Sequence, residues 1–361
     1  MRAPRELTWA VGATDNPMGQ QHYETEIQRA IEGLQDARGW EFIRLRLAPL
    51  QATTTGEQQR FPARLLRRGG EHTARAVGAV TYRRASFVHR FDLRLPPAGS
   101  REVVTAHDLP PLRFDDEGGL PAWVGAATKR AFGVITPSAF AEKEVRELLG
   151  VTRTWVIPYG LSGPYLRPQR ALDSELAALG ITGRYVLHAA GASARKNLPA
   201  LAQAWRHIQP RTDATLVLAG PPDTRRDRHF AGMPGTIMIG RQAPELIARL
   251  MASSSAVVVP SLYEGFGLPA LEGMACGTPV VAAACGALPE VCGDAALLVD
   301  PGAEGLAEGL LAVLTSTEVH GRLRDAGPSQ AATFSWELAA ARHLEVYDEL
   351  LAARHPFTSA G

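Results

Sequence analysis

Short runs of consecutive apolar, often β-branched residues recur along the chain. Each is followed by a turn rich in Gly, Pro or Ser, then by a stretch with apolar positions three and four apart. Leu7–Val11 precedes a helical pattern near Tyr23–Arg38, and Val103–Ala106 precedes one near Pro121–Phe132. Farther on come Tyr185–Ala189 before Leu198–His207, then Thr215–Ala219, then Ala256–Pro260 before Leu268–Cys276. Continuous apolar runs, unlike alternating ones, belong to strands covered on both faces. Alternation of such strands with helices predicts an α/β protein with parallel sheets, whose ligands sit at the carboxyl ends of the strands.

The stretch "IPYGLSGPYLRPQR", residues 157–170, breaks this rhythm with three prolines and two glycines and reads as a linker. The expected division is a first doubly wound domain over 1–165, a second over 166–335, and a final helix over 336–361. Ser335 is placed to cap that helix, which shows Trp336, Ala340, Leu344, Tyr347 and Leu351 on one face. The helix is expected to brace back toward the first domain. Two doubly wound halves facing each other leave a cleft, where chemistry is expected.

Composition narrows the classes. At 361 residues, 45% hydrophobic and 21% charged, the chain is globular and long enough for two cores. A formal charge of +1 gives no global field toward nucleic acid. Cys276, Cys285 and Cys292 fit no zinc spacing and read as small thiols in a reducing compartment. "LTWAVGA" is too short for a secretory core, and the longest uncharged runs are broken by Gly and Pro, so a cytoplasmic protein is expected. Only three of the 38 basic residues are lysines (Lys129, Lys143, Lys196), which singles each of them out.

Glu264 and Glu272 bracket a glycine-rich turn in "YEGFGLPALEGMACGTPVV". Glu264 follows a strand closely, and Gly265 and Gly267 remove the Cβ atoms that would keep a ligand off the backbone. Pro269 suits a first helical turn, and a helix start is a seat for phosphate. Glu272 is expected in that first turn, where a carboxylate accepts from paired hydroxyls such as those of a ribose. In "GASARKNLPAL", Arg195 and Lys196 stand between a strand and a helix, as fixed cations for a phosphate pair. No lysine or arginine lies between Arg249 and Arg322, so the cations must come from such a place.

The segment "EGFGLPALEGMACGTPVV" resembles the E-x7-E segment of the retaining GT-B glycosyltransferases of family 4. The resemblance extends through "GALPEVCGDAALLVDP", "ARKNLPALAQAW", "VITPSAFAEKEVRELLG", "VIPYG" and "VVTAHDLPPLRF", from about residue 100 onward. It implies a GT-B fold, two Rossmann-like doubly wound domains facing across a cleft, with the acceptor side first and the nucleotide-sugar side second. It implies that Glu264, Lys196 and Arg195 serve the reaction centre. Glu272, Gly265, Phe266, Gly267 and Leu268 then hold the donor. His107 lies beside the reacting sugar, next to Asp108. Gly19 resembles a glycine loop near the phosphates, although "MGQQ" departs from the usual double glycine. Arg241 belongs to the stretch matching the loop that borders the nucleobase. Ala192 stands where many relatives carry an arginine, so Arg195 is expected to act as the second cation. His22, His188 and His207 are read as structural.

The activity so implied is transfer of a hexose from a nucleoside-diphosphate sugar to an acceptor hydroxyl of a glycan or glycolipid, with retention. GDP-mannose is the first choice of donor and a UDP-glucose-type donor the alternative. No cofactor or metal is expected. A nucleotide-sugar epimerase of the same form and a non-catalytic nucleotide-sugar binder are the rivals. A dinucleotide-binding dehydrogenase is set aside because no G-x-G-x-x-G follows the first strand. A glycoside hydrolase is set aside because its carboxylates flank a bond in the open. Residues 60–101 carry ten arginines against Glu71 and Asp92, with a short helix at "RFPARLLRRGG" showing Phe61, Leu65 and Leu66 beside a basic face. That stretch is expected either to meet an anionic acceptor or membrane surface, placing the protein peripherally on the inner face, or to be an arginine-rich solvated face.

Overall fold

The computed structural model describes residues 5–14, 19–34, 39–52 and 56–353. The chain divides into two compact units. The first is Met1–Arg113, Gly118–Gly160 and Ser335–Gly361, and the second is Phe114–Glu117 and Leu161–Phe334.

The first unit holds strands β1 (Arg5–Gly12), β2 (Trp40–Pro49), β3 (Gln59–Phe61), β4 (Val88–Arg90), β5 (Glu102–Thr105), β6 (Gly133–Thr136) and β7 (Thr154–Val156). They form one sheet in the order β3-β2-β1-β4-β5-β6-β7, and all pairs are parallel. The second holds β8 (Tyr185–Ala189), β9 (Thr215–Ala219), β10 (Thr236–Gly240), β11 (Ala256–Val259), β12 (Val280–Ala283) and β13 (Leu297–Val299). Its order is β10-β9-β8-β11-β12-β13, again all parallel. In both sheets the chain winds outward in one direction, returns to the centre, and winds outward in the other. Loops leaving the two central strands therefore diverge, between β1 and β4 in the first unit and between β8 and β11 in the second.

The apolar runs occupy the middle of each sheet, where β5, β6, β11 and β12 are buried at every position. The pattern of apolar runs passes over β2 for a physical reason. Its partner β3 pairs only with Leu47–Pro49, so the first part of β2 is an edge and carries Glu41, Arg44 and Arg46.

The final helix, Trp336–Ala352, belongs to the first unit and packs against the helix Gly19–Glu32. Ser335 caps it by accepting from the Leu338 N–H at 3.1 Å. Tyr23 Oη lies 2.9 Å from His343 Nε2, and Tyr347 Oη lies 2.6 Å from His89 Nδ1. Trp336, Ala340, Leu344 and Tyr347 are buried as expected, Leu351 is only half-buried, and His343 and Leu350 are buried beside them.

The arginine-rich stretch is less uniform than its composition implies. Arg90 is fully buried, with Nε and Nη2 each 3.1 Å from a Glu102 carboxylate oxygen. Arg101 turns inward to the Ala85 carbonyl at 2.6 Å. Phe61 and Leu66 are core residues while Leu65 faces solvent beside Arg64, Arg67 and Arg68. Among the described residues no helix is long and apolar enough to cross a membrane.

Candidate functional site

The loops after β8 and β11 build the main cluster, at the switch point of the second sheet. After β8 the chain makes a 3-10 turn at Ala194–Lys196 and ends it at Asn197, whose φ of 55° is left-handed. Asparagine tolerates that conformation better than most residues. Its amide then donates to the Pro260 carbonyl at 3.0 Å and the Pro301 carbonyl at 2.8 Å. Asn197 thus ties the β8 loop to the end of β11 and aims the two residues before it.

Lys196 is buried, and its Nζ lies 2.6 Å from Glu264 Oε1. Ser261 donates to the same oxygen at 2.8 Å, and Arg195 Nη1 reaches Oε2 at 3.4 Å. Burial alone would raise the Glu264 carboxyl. The charges of Lys196 and Arg195, with the hydrogen bonds from Lys196 and Ser261, outweigh burial and hold it below its ordinary value. The carboxylate is therefore ionised, as its two cations require.

Gly286 makes this packing feasible. A Cβ there would stand 2.7 Å from the Glu264 backbone nitrogen and oxygen, and its φ is +61°. The Ala287 N–H donates to the Glu264 carbonyl at 2.9 Å, so "GALPE" clamps the turn that carries Glu264.

Gly267, with φ 101°, precedes the helix Leu268–Ala275, and Pro269 lies in its first turn. Glu272 is not in that first turn as expected. It lies in the second, because the helix starts at Leu268 rather than later. It is half-buried, and Tyr165 donates to it from the linker. Burial pushes its carboxyl up to about 8, against the opposing effect of the Tyr165 bond. Phe266 is buried, its ring edge to face with Phe334 at 5.6 Å. Arg241 is exposed at the end of β10, two strands from the switch point.

Other residues reach this cluster unforeseen. Asp116 Oδ2 accepts from the Ala194 N–H at 2.8 Å and from Arg225 Nη1 at 2.6 Å. Glu117 Oε1 accepts from Arg195 Nε at 2.8 Å. Arg226, buried after β9, donates to the carbonyls of Ala190 and Pro221. The only available sign was "DTRRDR" just past a strand end.

In the first unit, His107 and Asp108 follow β5 and are half-buried. Burial pushes the His107 imidazole down to about 4, against the pull of Asp92 and the Phe91 carbonyl. The ring is neutral at pH 7. Gly19 is exposed at the start of its helix, and the four residues before it, 15–18, lie outside the described residues. Glu24, absent from the sequence expectations, is buried in the second turn of that helix, and burial pushes its carboxyl up to about 8. Among the described residues no group of three or more His, Cys, Asp or Glu side chains is placed to hold a metal ion.

Two all-parallel, doubly wound sheets, one in each unit, define the GT-B fold class. A search of solved structures agrees. Sucrose-phosphate synthase from Thermosynechococcus elongatus superposes with a TM-score of 0.75 at 21% identity, over 97% of this chain and 100% of that one. HepE from Anabaena, in complex with UDP and glucose, gives 0.70 at 18% identity, over 96% and 100%. Residues 183–316, most of the second unit, match the family model described as Glycosyl transferases group 1. O-antigen chain mannosyltransferase B from Escherichia coli is 33% identical over 172 residues, 45% of each chain. The chain spans between 27% and 56% of the length of these and similar curated relatives.

Proposed function

We propose that this chain transfers a hexose from a nucleoside-diphosphate sugar to an acceptor hydroxyl of a glycan or glycolipid, with retention of anomeric configuration. The observation that carries this reading is the buried Lys196–Glu264 pair, with half-buried Arg195 beside it, at the β8/β11 switch point, inside the segment that matches the glycosyltransferase model. In this reading Lys196 and Arg195 take the diphosphate, Glu272 the ribose, and Glu264 the hydroxyls of the sugar. His107 serves the reacting sugar, with Asp108 and Gly19 on the same side. Arg241 borders the base. The two cations offset the leaving-group charge, so turnover is expected to survive a chelator.

GDP-mannose is the donor we favour, supported by the mannosyltransferase relative; HepE with UDP keeps a UDP-sugar as the alternative. Exposed Arg64, Arg67, Arg68, Arg75, Arg83 and Arg84 suit an anionic, lipid-linked acceptor at a cytoplasmic membrane face. Pelleting with anionic but not neutral vesicles tests that surface.

The deciding experiment is a thermal-shift panel of nucleoside diphosphates followed by turnover with the matching sugar donors. A true ligand at 100 times its Kd stabilises by roughly 2.7 kcal/mol. Donor should be consumed faster with acceptor than alone. Failure of every nucleoside diphosphate to stabilise the protein rejects the reading. Conversion of donor to its epimer without acceptor replaces it with epimerisation.

A further inference from the structure

His107 has both ring nitrogens engaged within the first unit. Nε2 lies 3.2 Å from the Phe91 carbonyl oxygen. A carbonyl only accepts, so Nε2 carries the hydrogen and Nδ1 presents its lone pair. The Tyr159 hydroxyl donates to Nδ1 in a short hydrogen bond. Burial, first, and then neighbouring Tyr23, Asp108 and Glu24 keep that hydroxyl protonated far into the alkaline range, so it remains a donor.

Tyr159 is itself held. It is 7% exposed and stacks on Trp336 at 6.1 Å with 24° between planes. Tyr23 fills the remaining space, 4.6 Å from the Tyr159 ring and 4.9 Å from the His107 ring. Gly160 permits the stacking, since a Cβ there would meet the Trp336 backbone nitrogen at 2.2 Å. On the other side the Phe91 carbonyl also accepts from Gln20 at 3.2 Å, and Gln20 donates to Glu24 at 3.1 Å. A ring held at both nitrogens by packed partners cannot turn without breaking two bonds.

We infer that Tyr159 is a positioning residue that fixes His107 as the neutral Nε2–H tautomer, so that the histidine acts on a bound sugar by placement and not as a base. The inference rests on the proposed transferase reading only for the word sugar. The tautomer stands on the geometry alone.

Ring 15N shifts of histidine-labelled protein at pH 7 test it, with His107 assigned from the spectrum of His107→Gln. The wild type should show a protonated Nε2 and a hydrogen-bonded, unprotonated Nδ1. Tyr159→Phe should move the Nδ1 resonance toward that of a free lone pair and let His107 titrate at higher pH. The charged and titratable neighbours Asp92, Asp108, Glu24, Tyr23, His89 and His343 stay in place, and unchanged His89 and His343 resonances report an intact fold. In turnover assays kcat should fall about tenfold while the donor KM stays within about twofold, the pattern of an interaction made in the transition state. Should the phenylalanine variant not fold, 3-fluorotyrosine at 159 donates more strongly and should shift Nδ1 further. An Nδ1–H tautomer in the wild type overturns the inference, as do His107 nitrogens indifferent to both substitutions. A protein with the expected tautomer that turns over no donor overturns the transferase reading and leaves the positioning assignment standing.

Discussion

Glu264 is approached from three directions, by Lys196 at 2.6 Å, Ser261 at 2.8 Å and Arg195 at 3.4 Å. It neutralises the two cations that, in the proposed reading, take the diphosphate. Glu264→Gln should abolish transfer yet leave nucleoside diphosphate binding equal or tighter, because Lys196 and Arg195 lose a competing partner. Calorimetry beside turnover checks this, and a large loss of diphosphate affinity would show that Glu264 holds the cations in place instead. Glu272 behaves differently. With its carboxyl pushed up to about 8, it is mostly protonated at pH 7, and donation from a ribose favours the ionised form. Binding should therefore release a proton, and nucleoside monophosphate affinity should rise from pH 6 to pH 8. The spacing of the two glutamates and the Arg–Lys pair were legible in the chain, because each is local. Their different electrostatics were not, since Tyr165 reaches Glu272, and Lys196 reaches Glu264, through the fold.

The same contrast holds for whole elements. Most central strands announce themselves, because burial on both faces demands unbroken apolar runs, but β4 does not, since His89 and Arg90 are buried within it. Nor do β2, uncovered along its first part, and the edge strand β10, since part of each meets water. Least legible is the tetrapeptide Phe114–Glu117, which interrupts the first unit in sequence and belongs to the second. Phe114 meets Tyr263 edge to face at 5.9 Å, and Asp116 and Glu117 hold Ala194, Arg225 and Arg195 from 78 or more residues away. No periodicity encodes a pairing of that range. We predict that this segment competes with a diphosphate for Arg195. The Arg195–Glu117 pair is partly exposed, and such pairs contribute about 1 kcal/mol or less. Glu117→Gln should thus tighten nucleoside diphosphate binding by up to about fivefold and leave nucleoside binding unchanged. Weaker diphosphate binding in that variant would mean that Glu117 positions Arg195 for its ligand.

At the scale of the molecule, two sets of buried groups oppose each other across pH. Burial depresses His89, His107 and His343 in the first unit and His188 and the half-buried His320 in the second. It raises Glu24 in the first unit and Glu272 in the second, each to about 8. A histidine with a depressed folded pKa favours the folded state above pH 6.5 and loses that advantage as pH falls toward 4. A glutamate with a raised folded pKa favours the folded state below 4.5 and loses that advantage as pH rises through 8. Each unmatched proton tilts stability by about 1.4 kcal/mol per pH unit. From pH 6.5 down to 4.5 the first unit sets three histidines against one glutamate and weakens with acid, while in the second unit His188 nearly cancels Glu272 and the half-buried His320 adds a smaller loss. Between 6.5 and 8 one glutamate in each unit weakens both alike. The ligand-free protein should therefore be most stable near pH 6.5, and acid should unfold the first unit before the second. Five of the six tryptophans (Trp9, Trp40, Trp123, Trp155 and Trp336) lie in the first unit and only Trp205 in the second. Fluorescence should accordingly follow the earlier of two calorimetric transitions at pH 5, whereas Trp205 alone reports the later one. If the second unit melts first in acid, or stability climbs steadily from pH 6.5 to 8, the buried histidines and glutamates do not govern the balance.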